Sequence, residues 1–350
     1  MPPSKARRSG GDRALGLLAR GSAVTILGLL VALLATLVTA GAPAAARFGA
    51  SFLTETEWRP NTLERPRLDA RGEVVITGGE VEIEEVPPRF GALPAIWGTA
   101  VSSGIALLIA VPLSLGAALF VVRIAPRLRV AGPLSFMIEF LAAIPSIAYG
   151  FWGLAVLTPW LQTVAYPAME RLAGGTWVAG WVFRTRLADG TEIPVGLTGK
   201  DMLCGGLVLA IMVIPIVTAV ARDVLRSVPR GQLEGTLALG ATWWQSSWGM
   251  MRYARAGLFG AVMLGLARAA GETMAVTMVI GNNMQVAASP LAPAQTMASL
   301  LANEFKEASD QLHQSALLLV ALILLVMSLA LNVTARSLVV GGSSRTAAAH

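Results

Sequence analysis

The feature that most constrains this chain is a set of apolar runs, several of which reach the roughly 20 residues that a helix needs to cross a bilayer core of about 30 Å. Of the 350 residues, 55% are hydrophobic and 14% are charged, and the mean hydropathy is +0.64. This composition is far from that of a soluble domain. The runs cover residues 22–46, 94–122, 134–159, 201–221, 257–281 and 315–338. We therefore expect an all-α polytopic membrane protein with six transmembrane helices.

Lysine and arginine fall unequally on the two sides that six spans would define. The side with both termini carries 15 cations and 3 acids, whereas the opposite loops, 47–93, 160–201 and 282–314, carry 11 cations and 16 acids. The net charges are therefore +12 and −5. Because cytoplasmic loops hold the excess of lysine and arginine, we expect both termini to be cytoplasmic. This scattered distribution also explains the pI near 10.2, so no nucleic-acid partner is expected.

Two outer segments have the alternation and the turn residues of β-hairpins. EVVITGGEVEIEEV (73–86) is centred on a Gly-Gly pair, and WVFRTRLADGTEIPV (181–195) is centred on an Asp-Gly pair. Such pairs favour two-residue turns between antiparallel strands. The sequence predicts small β-ribbons that either cap a pore mouth or contact a partner, or that are solvated and have no such role.

The cytoplasmic segment 222–256 is long enough to fold and has a helical pattern. Ser227 is the expected N-cap of a first helix whose early turn contains Pro229. We expect Gly240 to interrupt that helix and Thr242 to cap a second short helix that carries three tryptophans. Apolar and aromatic faces in a polar setting favour either contact with the membrane surface or docking into a groove on another protein.

This segment contains a recognisable motif. Four of its residues match the EAA-x3-G coupling sequence of ABC importer permeases, namely Glu234, Gly235, Thr236 and Gly240. Gly235 and Thr236 stand where two alanines are usual, and Arg252 stands where that family usually has proline. These departures affect the expected detail of the loop and not its existence.

Three further stretches resemble the PstC-type permeases of bacterial phosphate importers. They are FGALPAIWGTAVSSGIALLIAVPLSLGAALF (90–120), FMIEFLAAIPSIAYGFWGL (136–154) and LGLARAAGETMAVTMVIGN (264–282). The resemblance covers about 90–160 and 201–338, and segments 58–88 and 176–199 have the appearance of insertions. It implies a type I ABC importer permease fold in the bacterial inner membrane.

The resemblance also implies partners. They are a second permease of the PstA type, a dimer of ATP-binding subunits, a periplasmic phosphate-binding protein and inorganic phosphate, all at a lipid membrane. The chain itself has no G-x4-G-K-[ST] phosphate loop. We therefore expect a transport subunit and not an enzyme, without a cofactor or metal, and ATP handled by another chain.

The expected organisation follows from the runs and the resemblance. It is a cytoplasmic tail (1–21), a first transmembrane helix (22–46), a periplasmic loop with a hairpin (47–93), a permease core (94–338) and a second cytoplasmic tail (339–350). Within the core we expect a periplasmic insertion at 160–200 and a cytoplasmic coupling loop at 222–256.

The fifth run contains two charges at membrane depth, Arg268 and Glu272. One charge near the bilayer centre costs about 2.5–3.5 kcal/mol on insertion scales. One interpretation is a salt bridge that only reduces the burial cost and fixes packing. The other is that Arg268 offers its planar donors to a passing oxyanion, while Glu272 holds the guanidinium in the empty state and limits retention.

Other polar residues in the spans are weaker candidates. Glu139 is expected to snorkel or to form an ion pair with a cytoplasmic arginine, in preference to a direct substrate role. Ser146 and Tyr149, just after Pro145, have hydroxyls that either contact phosphate or bond to backbone and neighbouring helices.

The predicted mechanism is alternating access, in which the loop at 222–256 moves the spans and exposes Arg268 to each side in turn. Two other functions remain open. One is a permease for another oxyanion such as sulfate or molybdate, and the other is a passive or ion-coupled anion carrier. The coupling motif argues against the carrier, and the stretch 264–282 favours phosphate.

Overall fold

The computed structural model describes residues 10–66, 74, 76–77, 80–81, 83–173, 182–186, 192–194 and 197–347. These residues are mostly helical. The helices bounded within this part of the chain are α1 (Gly10–Phe48), α2 (Ser51–Thr54), α3 (Leu93–Arg123), α4 (Ala131–Ala142), α5 (Ser146–Trp152), α6 (Thr158–Trp160), α7 (Tyr166–Ala173), α8 (Met202–Arg226), α9 (Arg230–Ala238), α10 (Trp243–Tyr253), α11 (Arg255–Gly271), α12 (Met274–Val279), α13 (Met297–Glu304) and α14 (Gln311–Ala347). Two π-helical segments, Gly153–Leu157 and Leu161–Ala165, join α5, α6 and α7 into one helical stretch.

Among the described residues, four helices are long and apolar enough to cross a membrane. They contain the spans Leu15–Phe48, Leu93–Arg123, Met202–Arg226 and Gln311–Val333. These correspond to the first, second, fourth and sixth apolar runs, so helices of spanning length are confirmed for those four runs.

The third run is not one straight helix, contrary to expectation. Helix α4 and the stretch Ser146–Leu172 meet at an angle of 87°, so the described residues contain four spans, or five if this bent pair is one. Pro145 explains the corner, because proline has no N–H to continue the helix and disfavours a helical conformation in the residue before it. The Tyr149 hydroxyl donates to the Leu141 carbonyl across the corner at 2.8 Å.

The fifth run is also broken. Helix α11 ends at Gly271, Glu272 has an extended backbone with φ −71° and ψ 128°, and α12 begins at Met274. The fifth run therefore forms two helices and not the single helix predicted over 257–281, and the break lies at Glu272, one of its two charged residues.

The centre of the bundle is the crossing of α3 and α8, which have the most extensive contact in the structure. Gly206 makes this crossing close, since a Cβ there would lie 2.6 Å from Ile105 Cγ2 and 2.7 Å from Ile105 Cβ. Gly265 likewise brings α11 against α8 beside Val217. Helix α1 lies outside this centre and packs on α14, where Gly41 meets Leu319.

The strands lie in the two segments where hairpins were predicted and in the chain beside the first of them. They are β1 (Trp58–Arg59), β2 (Leu63–Pro66), β3 (Ile76–Thr77), β4 (Glu80–Val81), β5 (Ile83–Val86), β6 (Arg89–Phe90), β7 (Arg184–Arg186) and β8 (Glu192–Pro194). Within the described residues they form four two-stranded antiparallel sheets, β1–β6, β2–β5, β3–β4 and β7–β8. The central residues of both predicted turns, 78–79 and 187–191, lie outside the described residues.

An aromatic cluster joins the end of α1 and the first sheet to α13 and α14. Phe90 stacks on His313 with ring centroids 5.5 Å apart, and Trp58 meets Phe90 edge-on at 5.0 Å. Glu304 Oε2 accepts from Trp58 Nε1 at 2.7 Å and lies 2.9 Å from His313 Nε2. One carboxylate at the end of α13 therefore ties together residues that are far apart in sequence.

The close crossing of α3 and α8 gives a direct test of the fold. Gly206→Ala should lower stability by about 1–3 kcal/mol, because the added methyl group overlaps the branched carbon of Ile105. Gly104→Ala is the matched control, since nothing lies within 4 Å of a Cβ there. Thermal unfolding of the purified protein in detergent would measure both. Equal midpoints for the two variants would contradict so close an approach of the two helices.

Candidate functional site

The break in the fifth run places Arg268 and Glu272 together. Arg268 Nη2 lies 3.7 Å from Glu272 Oε2, so the ion pair expected under both interpretations is present. The Glu272 side chain is 7% exposed and that of Arg268 is 42% exposed. Glu272 Oε1 also accepts from the backbone N–H of Ala275 at 3.4 Å. The carboxylate thus pairs with the arginine and partly caps the first turn of α12.

The Arg268 side chain faces α8 as well as Glu272. Its Nη2 lies 3.8 Å from the sulfur of Met212, which is itself 3% exposed. A single carboxylate and a thioether engage few of the five N–H donors of a guanidinium. With nearly half of its surface open, Arg268 has donors in the fork geometry that matches an oxyanion.

Ser146 and Tyr149 lie on α5, which packs closely on α12. A Cβ at Gly150 would be 2.7 Å from Ala275 Cα, so the two helices are in backbone contact there. The Tyr149 hydroxyl is engaged by the Leu141 carbonyl, which is the backbone bond that the alternative interpretation predicted. Ser146 is half-buried at the first position of α5. The structure therefore brings these two residues to the helix that follows Glu272.

The predicted ion pair of Glu139 is confirmed. Arg222 Nη1 donates to Glu139 Oε1 at 3.0 Å, and Arg222 Nε donates to Asp223 Oδ1 at 2.9 Å. The Arg222 side chain is 8% exposed. This arginine links the end of α8 to α4, just before the corner at Pro145.

The four motif residues lie at the end of α9, and their geometry explains the glycine. Gly240 has φ +82°, and the N–H groups of Gly240 and Ala241 donate to the carbonyls of Leu237 and Thr236 at 3.0 and 3.1 Å. This is the Schellman pattern, which needs a left-handed residue at the position that Gly240 occupies. Glu234, Gly235 and Gly240 are exposed, and Thr236 is half-buried.

One prediction for this segment was wrong. Ser227 does not cap α9, because α8 continues to Arg226 and Ser227 ends it, with its hydroxyl donating to the Val224 carbonyl at 2.8 Å. Pro229 occupies the N-cap position of α9 instead. Helix α8 runs past the predicted end of the fourth span at 221 to Arg226, with Leu225 still buried, and this moved the helix boundary.

The predicted cap of the second short helix is confirmed. Thr242 and Gln245 form a reciprocal capping box at the start of α10. The guanidinium of Arg123 lies 5.7 Å from the Trp243 ring, and Arg123 Nη2 donates to Ser246 Oγ at 2.9 Å. Trp244 and Trp248 are 62% and 54% exposed on another face.

Sequence reasoning missed the anchoring role of Arg123. It was counted only among the cations that set topology, although it ends the most central span next to a loop. Its partners lie 120 and 123 residues away in sequence. No local spacing signal connects residues at that separation.

Comparison with known proteins gives a consistent result. Residues 110–339 match the family described as "Binding-protein-dependent transport system inner membrane component". The "Phosphate transport system permease protein PstC" of Mesorhizobium japonicum is 37% identical over 94% of this chain and 90% of its own. The protein of the same name from Haemophilus influenzae is 39% identical over 91% of this chain and 89% of its own. Among solved structures, a chain of an inward-facing MetNI methionine ABC transporter aligns with a TM-score of 0.44 at 16% identity, covering 70% of this chain and 90% of that chain.

The ion pair between Glu139 and Arg222 is open to a double-mutant cycle. Alanine at each position and at both should give a coupling energy of about 0.5–1 kcal/mol, since one partner is buried and the other is largely exposed. The same cycle on Arg65 and Glu84, 3.5 Å apart with both side chains about half exposed, should give a value near zero. Thermal unfolding in detergent measures both cycles, and indistinguishable coupling energies would contradict a special role for Arg222.

Proposed function

The chain belongs to the family of binding-protein-dependent transport system inner membrane components, and from this premise we propose that it is the permease subunit of an ATP-driven importer that moves inorganic phosphate into the cell. The observation that carries the proposal is the partly open Arg268 guanidinium beside the break in the fifth run. Similarity to proteins named as phosphate permeases extends over nearly the whole chain and supports phosphate as the anion. The chain is a transport subunit, and no covalent chemistry takes place on it.

The proposed role of the ion pair follows from the cost of charge in an apolar run. Arg268 offers fixed positive charge and N–H donors to an oxyanion whose own dehydration would otherwise be the main barrier. Glu272 holds the guanidinium when no anion is present. Its negative charge also weakens anion binding, which favours release on the far side. Ser146 and Tyr149 stay candidates for additional hydroxyl contacts on the same path.

The proposed mechanism is alternating access driven from the segment between α8 and α11. Helices α9 and α10 are two short helices joined around Gly240, and three of the four motif residues, Glu234, Gly235 and Gly240, are exposed. Arg123 attaches α10 to the end of α3, and Arg222 attaches the end of α8 to α4. A push on α9 from an ATP-binding partner therefore has direct contacts through which to tilt the central helices as rigid bodies.

The proposed assembly and topology follow those expected from the sequence. The partners are a second permease of the PstA type, two ATP-binding subunits and a periplasmic phosphate-binding protein. The chain is multi-pass in the inner membrane with both termini cytoplasmic. Six spans result if α4 with 146–172, and α11 with α12, each count as one. The predicted domain limits, from the tail at 1–21 to the tail at 339–350, stay part of this proposal.

The path role of Arg268 is tested by phosphate uptake in cells that lack other phosphate systems. Arg268→Ala should reduce the maximal rate about 10- to 100-fold, because losing charge-assisted hydrogen bonds costs about 1.5–3 kcal/mol. Arg268→Lys should retain part of the activity, since it keeps the charge without the planar fork. Arg171→Ala, at an exposed arginine on α7, is the control.

Wild-type uptake by Arg268→Ala would rule out the anion path through this helix. Competition of uptake by sulfate and molybdate in the same cells distinguishes a phosphate permease from one for another oxyanion. Strong competition by sulfate would contradict the assignment of phosphate.

The coupling role of α9 is tested by Glu234→Arg. Reversing this exposed charge should abolish phosphate uptake and stimulation of ATP hydrolysis while the chain still inserts into the membrane, because the change lies on a surface and not in the bundle. Gln232→Arg adds the same side chain at another exposed position of α9 and should retain most activity. Normal uptake by Glu234→Arg, with the chain present in the membrane, would refute the coupling role.

A further inference from the structure

A cavity of about 400 Å³ opens beside the break in the fifth run. Gly271 and Thr273 contribute the break itself to its lining, and α13 and α14 contribute apolar walls that include Leu301 and Leu324. Nothing lies within 4 Å of the position that a Cβ at Gly271 would occupy, so there is open space at this point. Lys306, just after α13, completes the lining with an ammonium group.

The position of Leu324 shows how deep this cavity reaches. It lies 13 residues after Gln311, where α14 begins, which corresponds to about 20 Å along a helix axis. Since α14 is one of the helices long enough to cross the membrane, the cavity reaches from Lys306, which is exposed, to a leucine well inside the apolar run of α14. A cation at the exposed mouth of a cleft with apolar walls attracts anions towards that cleft.

The charge of Lys306 is not used by a neighbour. It is the one cation of residues 282–314, a segment that also contains Glu304, Glu307 and Asp310. Glu304 is already engaged by Trp58 and His313. In the part of the chain that the structure describes, the Lys306 ammonium has no hydrogen bond or ion pair.

The cavity also adjoins the ion pair of the fifth run. Gly271 lies in the cavity lining and is three residues, less than one helical turn, after Arg268. Thr273 is the residue after Glu272, and the one contact of its hydroxyl with the described residues is a long one of 3.4 Å, to the Gly271 carbonyl. A hydroxyl so weakly engaged can rotate to donate to an anion in the cavity.

We propose that Lys306 and Thr273 form a second oxyanion-binding station, in series with Arg268 and on the outer side of it. This inference rests on the proposed function and adds an entry site for phosphate. Lysine suits that role because it is a point charge that attracts an anion without gripping it bidentately. The apolar walls focus the field of this exposed charge and offer no further donors that would retain the anion. Two weak sites in a row allow an ion to enter and also to leave.

The test replaces the lysine by cysteine and restores its charge chemically. Phosphate uptake is measured in cells that carry the whole importer and lack other phosphate systems. Cys204, the single native cysteine, is buried, so thiol reagents at Lys306→Cys report on the new site. Untreated Lys306→Cys should raise the KM for phosphate on the order of tenfold, with a smaller change in maximal rate, because the lost charge acts on entry.

Three thiol reagents of different charge then distinguish electrostatics from packing. Aminoethyl methanethiosulfonate attaches an ammonium at nearly the lysine position and should restore a KM close to wild type. Neutral methyl methanethiosulfonate should not restore it, and the anionic sulfonatoethyl reagent should raise KM further. Inorganic phosphate should slow the labelling. Wild type treated with each reagent controls for the partner chains, and Lys200→Cys controls for an exposed lysine elsewhere on the predicted outer side.

The outcomes separate this inference from the function on which it rests. A wild-type KM in untreated Lys306→Cys, or equal rescue by the neutral and the ammonium reagents, overturns the second station. If Lys306→Cys gives either of these results while Arg268→Ala abolishes uptake, the second station is wrong and the proposed function still stands. Absence of phosphate uptake by the wild-type importer would instead overturn the proposed function itself.

Discussion

The ion pair of Arg268 and Glu272 is the interaction on which the central architecture depends. A charge in an apolar run is tolerated only where it is paired or faces an open cavity, and here the two charges pair with each other. Glu272 has left the helix, and its carboxylate serves the arginine on one side and the start of α12 on the other. The break and the buried charge are therefore one feature, because the Glu272 carboxylate both accepts from a backbone N–H that the break leaves free and pairs with Arg268.

Contacts between helices connect this break to the exposed segment at the other end of the bundle. Arg222 joins α8 to α4, the Tyr149 hydroxyl closes the corner after α4, and Gly150 brings α5 into backbone contact with α12. Each contact is a short, directional bond or a close backbone approach and not a side chain with freedom to adjust. For this reason we expect a displacement of α8 and α9 to be transmitted to the position of Glu272 almost undiminished. This connection supports the proposed mechanism independently of the similarity to named permeases.

The sequence predicted much of the local structure because the signals were local. The apolar runs at 22–46 and 315–338 are helices, Thr242 caps the helix that it was expected to cap, and Gly240 ends one. The ion pair of Glu139 was also expected, although its partner was not specified. The errors arose where a local rule competed with another. Pro145 turned a predicted span into a corner, and the continuation of α8 to Arg226 removed Ser227 from its predicted cap.

The sequence by itself determined that this chain is a bundle of membrane helices with two charges in one apolar run, because length, hydropathy and charge are properties of each segment alone. Tertiary structure decided which residues the charged side chains of the bundle contact. Arg123 meets α10, Arg222 meets α4, and Lys306 meets the cavity beside Gly271 across separations of about 35 to 120 residues. The physical reason is that a side chain's partners are set by how helices cross, and the crossings depend on close contacts such as Gly206 with Ile105, which no periodicity records.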